Sequence, residues 1–395
     1  MLRAVVGHSN DPDSRSAITE VLEQCDKSLL GELPKAGILF AAIDFDHALI
    51  LDEIHQIYPE LELIGGTTDG EMSSILGFEQ DSLSLMLFCS DKITIRAGIG
   101  REISKDLNAA ISMAVDRANL GCQDQIKLCI TMPDSLTTSA VPVLEGLKQV
   151  LGKQVPIFGG LTADQWRFKQ TYQFFHTEVC SDAIPILLFS GSVLFSHGIA
   201  SGWNPIGKKG QITKVDRNVV YEIDGKPALD FYHHYLGQVP PSSEYPLAVF
   251  EADSEYPLAV FEAGKEPCYM RAPSGVYDLV SGSITFFGDI PDQAIVQITE
   301  TTHENILSAS QTSMMQAMEN YPGQMPAAAL FFSCASRRQI LGSRTKEEYM
   351  RTQTDSTKAL PSCGFYTNGE IAPLKQQGLS YFHNETFITL LLGES

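Results

Sequence analysis

The chain has 395 residues, of which 44% are apolar and 19% charged. That mix can bury a large core, and the length allows two or three domains of roughly 100–200 residues each. A formal net charge of −20 and a pI of about 4.8 set the surface against phosphate backbones, which argues against nucleic acid as a partner.

Leu2–Val6 reads as a short strand. Residues 14–30 put Ile18, Val21, Leu22, Cys25 and Leu29 on one helical face. Gly37–Ile43 is a buried strand and 47–58 an amphipathic helix. A strand over Ser82–Phe88 follows, with Ile93–Ile99 as its expected antiparallel neighbour. Next come a helix over 103–119, a strand over 126–131 and a helix over 140–151 with Pro142 in its first turn. Strand 184–190 is expected to turn back at Gly191 into 191–200. The stretch SGWNPIGKKG at 201–210 is rich in turn formers and marks a junction. Beyond it lie strands 211–216 and Val219–Ile223, a turn at Asp224-Gly225 and a helix over 227–236. Strands near 268–271, 276–286 and Ala294–Ile298 follow, then a helix over 302–320 and a strand over 327–334. Thr345 and Glu348 have capping-box spacing for a helix over 346–358. The expected fold is α/β with mixed sheets covered by helices. Two domains, 1–205 and 206–395, are expected to share a packed interface. SEYPLAVFEA stands at 243–252 and again, unchanged, at 254–263. That is expected of a recent tandem duplication, its extra copy bulging as a loop or widening a sheet edge.

One pattern recurs. Pro59–Phe88, Pro156–Phe189 and Pro361–Leu392 each run through a short strand, a Gly-rich turn with Thr, an acidic residue, a polar excursion and a long apolar strand. Thr68, Gly70 and Glu71 match Thr367, Gly369 and Glu370, and Thr162 with Asp164 is a looser third version. Each copy has a helix and a buried strand before it, so a strand–helix–strand–turn–strand unit is used repeatedly.

No phosphate-binding loop, nucleophile elbow or HExxH motif is present. The eight cysteines (25, 89, 122, 129, 180, 268, 334 and 363) form no CxxC and stand at no zinc-ligand spacing beside His, so they read as reduced, buried thiols. The start, MLRAVVGHSND, has no signal-peptide core, and no apolar run nears ~20 residues. A cytoplasmic protein without membrane insertion is the expectation. His383, in FHNETF, enters a core strand. It is either a ligand or metal contact, or a ring that satisfies a buried carbonyl. His197 offers the same choice. Arg337, at a strand end, suits a carboxylate ligand through its guanidinium fork, with Arg344 and Glu370 as partners across a pocket. The alternative is a structural Arg–Glu bridge.

These residues bring a family into view. IGGTTDGEM at 64–72, PIFGGLTAD at 156–164 and FSHGIASGWNPIG at 195–207 resemble the FIST N domain. VYEIDGKPALDFYHHYLG at 220–237, FFGDIPDQA at 286–294, ALFFSCASRRQILGSRTKEE at 329–348, GFYTNGEIAPL at 364–374 and FHNETF at 382–387 resemble FIST C. The resemblance implies a sensory domain without catalytic residues. A stand-alone FIST protein is similar to bacterial haem proteins that sense nitric oxide and regulate a histidine kinase or a cyclic-di-GMP enzyme. The candidate ligand-binding set is Arg337, Arg344, Tyr366, Thr367, Gly369, Glu370, His383 and Asn384. His383 is the candidate haem axial ligand, with His197 second. Two other readings stay open: a haem-free sensor of small metabolites such as amino acids, and an enzyme that uses Cys334 or Cys363. A homodimer stays possible.

Overall fold

The computed structural model describes residues 1–121, 124–250, 269–354, 357 and 359–395. Three units follow one another. The first is β1 (Arg3–Ser9), α1 (Ser14–Leu29), β2 (Ala36–Ala41), α2 (His47–Ile57), β3 (Glu62–Thr67), β4 (Glu71–Ser73), β5 (Gly77–Glu79) and β6 (Leu83–Cys89). The second is β7 (Ile93–Arg101), α3 (Leu107–Ala118), β8 (Ile126–Thr131), α4 (Ala140–Leu151), β9 (Ile157–Gly160), β10 (Gln173–Phe175), β11 (Glu178–Cys180) and β12 (Ala183–Gly191). The third opens with β13 (Val193–Ala200) and is then interrupted. The interruption contains β14 (Asn204–Pro205), β15 (Gly210–Asp216), β16 (Val219–Ile223), β17 (Lys226–Pro227), α5 (Ala228–Leu236), β18 (Leu247–Phe250), β19 (Tyr269–Arg271), β20 (Pro273–Tyr277), β21 (Ile284–Phe286) and β22 (Ile295–Glu300). The third unit resumes with α6 (His303–Glu319), β23 (Ala328–Cys334), α7 (Ala335–Leu341), α8 (Thr345–Thr352), β24 (Ser362–Thr367), β25 (Glu370–Pro373), β26 (Ser380–His383) and β27 (Phe387–Glu394).

The sheets repeat as the chain does. Their orders begin β1-β6-β2-β3, β7-β12-β8-β9 and β13-β27-β23-β24. In each, the last pair is parallel and the other two antiparallel. The register repeats to the residue. Gly7, Leu85, Leu39 and Gly65 form one row across the first sheet, Gly98, Ile186, Thr131 and Gly159 the same row in the second, and Gly198, Thr389, Phe331 and Gly364 in the third. Both ends of every row are glycine for a steric reason. A Cβ on Gly65, Gly159 or Gly364 would stand 2.1, 1.9 or 2.3 Å from the carbonyl oxygen of the parallel neighbour. One on Gly7, Gly98 or Gly198 would meet a helix carbonyl just as closely. The three units are thus copies of one design.

Each unit lends its hairpin to another sheet. β4-β5 extends the third sheet, β10-β11 the first and β25-β26 the second. The exchange is cyclic and ties the three units into one body. The inner sheet faces meet in a common core that includes Phe40, Phe88, Phe158, Phe189, Phe332 and Phe365. The outer faces are covered by α1 and α2, by α3 and α4, and by α6 and α8. Strands buried on both faces explain apolar runs such as GILFA, which show no alternation. The interruption in the third unit builds its own sheet and core around Ile212, Tyr232, Val249 and Val296. Asp224 and Gly225, both at positive φ (53 and 71°), make the tight turn expected between β16 and β17.

Some pairings differ from expectation. β7 pairs with β12, because β6 already has β1 and β2 on its two sides. β13 leaves β12, which lies between β7 and β8, and opens the third sheet beside β27. The single strand expected over 276–286 is a hairpin, turned by Asp278, whose side chain accepts from Val280 N and Ser281 N. The Thr345–Glu348 capping box does not form. Thr345 Oγ1 donates back to Gly342 O, Glu348 turns inward, and the helix ends at Thr352. The second SEYPLAVFEA copy lies outside the described residues; the first supplies β18.

Candidate functional site

The Gly-rich turns of the three units meet in a ring. Asp69 N donates to Tyr366 O, Ala163 N to Thr67 O and Leu161 N to Gly369 O. Thr367 Oγ1 adds a bond to Leu161 O at 2.7 Å. Gly369, at φ 151°, lets this turn pass against the ring of Phe382. Thr367 and Gly369 therefore hold the ring together.

Beside the ring, β25 runs antiparallel to β26, which sets Glu370 opposite His383. Both are fully buried. Glu370 Oε2 accepts from Thr386 N (3.1 Å) and Thr386 Oγ1 (2.8 Å), while Oε1 makes no hydrogen bond. Burial pushes this carboxyl up to about 8. His383 Nε2 donates to Ala372 O at 2.9 Å, and Nδ1 has no partner. Burial pushes the ring down to about 3, so it stays neutral with a lone pair on Nδ1. His197 does the same from the other side of β25. Its Nε2 donates to Pro373 O at 2.9 Å, Nδ1 is unpartnered, and burial lowers it to about 4.

His383 and Thr386 line a cleft of about 650 Å³ between the interrupting segment and the third unit. Trp203, Phe250, Met270 and Leu374 give it apolar wall. Ser201, Asn204, Lys209, Gln297, Asn305 and Ser308 give it hydrogen-bonding wall. A largely preformed cleft with a few polar groups is the usual form of a small-molecule site.

The other expected residues lie around this floor in different roles. Arg337, fully buried, gives Nε (2.9 Å) and Nη2 (2.6 Å) to Glu348 Oε1, and further bonds to the carbonyls of Ser201, Ile306 and Glu385. Glu348 Oε2 in turn accepts from Ser333 Oγ (2.9 Å) and Tyr366 OH (2.5 Å). Arg337 and Tyr366 thus belong to a buried clamp, the Arg–Glu bridge alternative, with Glu348 where Glu370 was expected. Arg344 pairs with Glu304 (2.6 Å) and Glu347 (2.7 Å), all three partly exposed. Asn384 Oδ1 accepts from Ala272 N at 3.3 Å, joining the third unit to the interruption. Burial raises the thiols of Cys334 and Cys363 well above their ordinary value, which works against a thiolate nucleophile. Among the described residues, no group of three His, Cys, Asp or Glu could hold a metal ion, and no helix is long and apolar enough to cross a membrane. Thr386, Trp203, Ser201 and Asn305 were not foreseen. They converge only because the interruption folds back on the third unit, which no local pattern announces.

Comparison with known families decides the assignment. The FIST N domain model matches residues 35–226 and the FIST C domain model residues 228–373. The chain carries both FIST domains. These are sensory-type domains, and the relatives add no activity. An uncharacterized protein of Methanocaldococcus jannaschii is 25% identical over 60% of this chain and 46% of its own length, so the chain spans about half of that relative. An uncharacterized protein of Mycobacterium tuberculosis is 22% identical over 94% of this chain and 95% of its own. Among solved structures, the FIST chain is similar to a cyanuric acid hydrolase from A. caulinodans at a TM-score of 0.29 and 11% identity, over 51% of this chain and 72% of that one. Another cyanuric acid hydrolase gives a TM-score of 0.36 and 9% identity with both chains fully covered.

Proposed function

We propose that this FIST protein is a ligand-sensing signalling module whose small polar ligand enters the cleft between the interruption and the third unit. The observation that carries the reading is His383. It is fully buried, it lines the cleft, and its Nδ1 lacks the partner that a buried polar atom requires. The amide and hydroxyl wall supplied by Asn204, Gln297, Asn305 and Ser308 suits a metabolite with several polar groups. The test is a thermal-shift screen of amino acids and other small metabolites against the parent and His383→Gln. A ligand that stabilises the parent and not the variant supports the reading; one that stabilises both equally sinks it.

A second reading, haem, is favoured by the same nitrogen. A neutral imidazole lone pair, the apolar wall of Trp203, Phe250, Met270 and Leu374, and Lys209 as a partner for a propionate fit the group by residue type. Haem bound here would supply an iron that takes nitric oxide, and His383 would hold it. The output would then be control of a histidine kinase or a cyclic-di-GMP enzyme. A stoichiometric Soret band in haem-supplied protein, shifting with nitric oxide and lost in His383→Gln, is the expected result. Protein that stays colourless rejects haem and leaves the metabolite reading.

A further inference from the structure

Outside the cleft, one cluster draws on all three units. Asp69 comes from the first turn, Trp166 from the loop after the second, and Arg338 from α7 of the third. Asp69 is fully buried. Its Oδ2 accepts from Arg338 Nη1 at 2.7 Å and Trp166 Nε1 at 3.1 Å, and its Oδ1 accepts nothing. A buried carboxylate oxygen without a donor is a rare and unfavourable state.

The loop that delivers Trp166 is strained. Gln165, Trp166 and Phe168 sit at φ 58, 62 and 48°, a region that side chains other than glycine seldom occupy and that concentrates at ligand sites. The Asp164 carboxylate holds the loop there by accepting from the backbone N–H of Phe168 (2.9 Å), Lys169 (2.7 Å) and Gln170 (3.2 Å). The loop does not bury its aromatics in return. Phe168 is 46% exposed and Trp166 partly so. Phe168 meets Trp166 edge-on at 5.5 Å and stacks on Phe287 of the interruption at 6.4 Å. Arg338 is 15% exposed, and its guanidinium carries donors besides the Nη1 that Asp69 takes.

We propose that the junction of Asp69, Trp166 and Arg338 is a second binding site, for a flat neutral heterocycle with an N–H beside a carbonyl, a cyclic amide or imide. Asp69 Oδ1 takes the ligand N–H, Arg338 gives a donor to the carbonyl, and Trp166 and Phe168 supply faces for the ring. The Asp69–Arg338 pair is already balanced in charge, which favours a neutral ligand over an ion. The Trp166 loop shifts to admit the ring, and its stored strain lowers the cost of that shift.

The chain has two tryptophans, one at each site, so fluorescence separates the two proposals. In Trp203→Phe the remaining emission reports from Trp166. Uracil is the probe, and 1,3-dimethyluracil, which keeps the ring and carbonyls without an N–H, is the control. A saturable change with uracil is expected, at least about tenfold weaker with the dimethyl compound and lost in Asp69→Ala. The dimethyl control does not depend on any further variant folding. No saturable change, equal response to both compounds, or a change seen only from Trp203 in Trp166→Phe each overturns the proposal. A response from Trp203 alone would place uracil at the cleft; the other outcomes leave the cleft to the metabolite screen.

Discussion

Glu71 and Glu370 stand at the same offset from Gly65 and Gly364, yet they do different things. Both are fully buried, and burial pushes both up to about 8. Glu71 is closed on every side. Thr68 Oγ1 bonds one oxygen, Ser82 Oγ the other, and Ser82 also meets His8 Nε2 at 2.9 Å. Glu370 has Thr386 on one oxygen and nothing on the other, with His383 opposite and the cleft beyond. Since burial is the same, the contrast lies in what covers the turn. In the first unit α1 follows β1 directly; in the third, residues 204–300 intervene before α6. The same turn is a sealed strut where Thr68, Ser82 and His8 close on it, and a candidate site where one carboxylate oxygen is left without a donor in the interrupted unit.

If the units are copies, their glycine rows must fail alike. Gly65→Ala, Gly159→Ala and Gly364→Ala each drive a Cβ into a backbone carbonyl that cannot move. Each should cost about 3 kcal/mol or more, enough to remove most soluble protein. Urea midpoints and soluble yield check this. One well-tolerated substitution among the three would break the equivalence on which the comparison rests.

Next in size is the clamp beside the open turn. Arg337→Met leaves Glu348 buried without its cation and should cost about 3–5 kcal/mol. Arg344→Ala removes a partly exposed pair and should cost at most about 1 kcal/mol. Comparable losses in chemical denaturation would contradict the separate roles given to these two arginines.

The strands, helices and repeated turns were legible because they rest on local patterns: β-branched runs, apolar residues at helical spacing, Gly-Gly and Asp-Gly. Pairing was less so. Ile93–Ile99 matches β6 in composition, but the edge it needs is taken by β1 and β2, a fact of topology that adjacency does not carry. The cyclic hairpin exchange is hidden for the same reason. Within the site, the opposition of His383 and Glu370 follows from a hairpin and was within reach. The partner of Arg337 was not. Thr345 and Glu348 fit a capping box in sequence, and only the tertiary demand of a buried guanidinium turns Glu348 inward. The interruption beginning near 204 could be placed by its glycines, but not its return to the third unit at α6.

A pH series sharpens the opening contrast. The ordinary value of a glutamate is 4.5, and Glu71 in the fold lies at about 8. Between these values the folded state holds the extra proton, so stability is greatest below about pH 4.5 and falls as pH rises through about 8. Glu71→Gln keeps the shape without the titration. The variant should gain on the parent from about pH 5 to about pH 8, by at most about 1.4 kcal/mol per pH unit. Glu370→Gln should move in the same direction over the same window, because its carboxyl lies at about 8 as well. A gain in denaturation midpoint at Glu71 without one at Glu370 would mean that water reaches the second turn and not the first.

The smallest effect is expected where the third unit departs furthest from the other two. Residues 251–268 join β18 to β19 and include the second copy of SEYPLAVFEA. Deleting Asp253 through Ala263 leaves one copy, and that copy already supplies β18, paired to β19 and β22. No described strand loses a residue. The expected outcome is soluble protein with a melting temperature and near-ultraviolet dichroism close to the parent's. Ala248 and Phe250 of β18 line the cleft, so the same protein should give the metabolite-screen response of the parent. Loss of folding would show that the second copy is built into the sheet, and the interruption would then have to be counted as wider than the strands described.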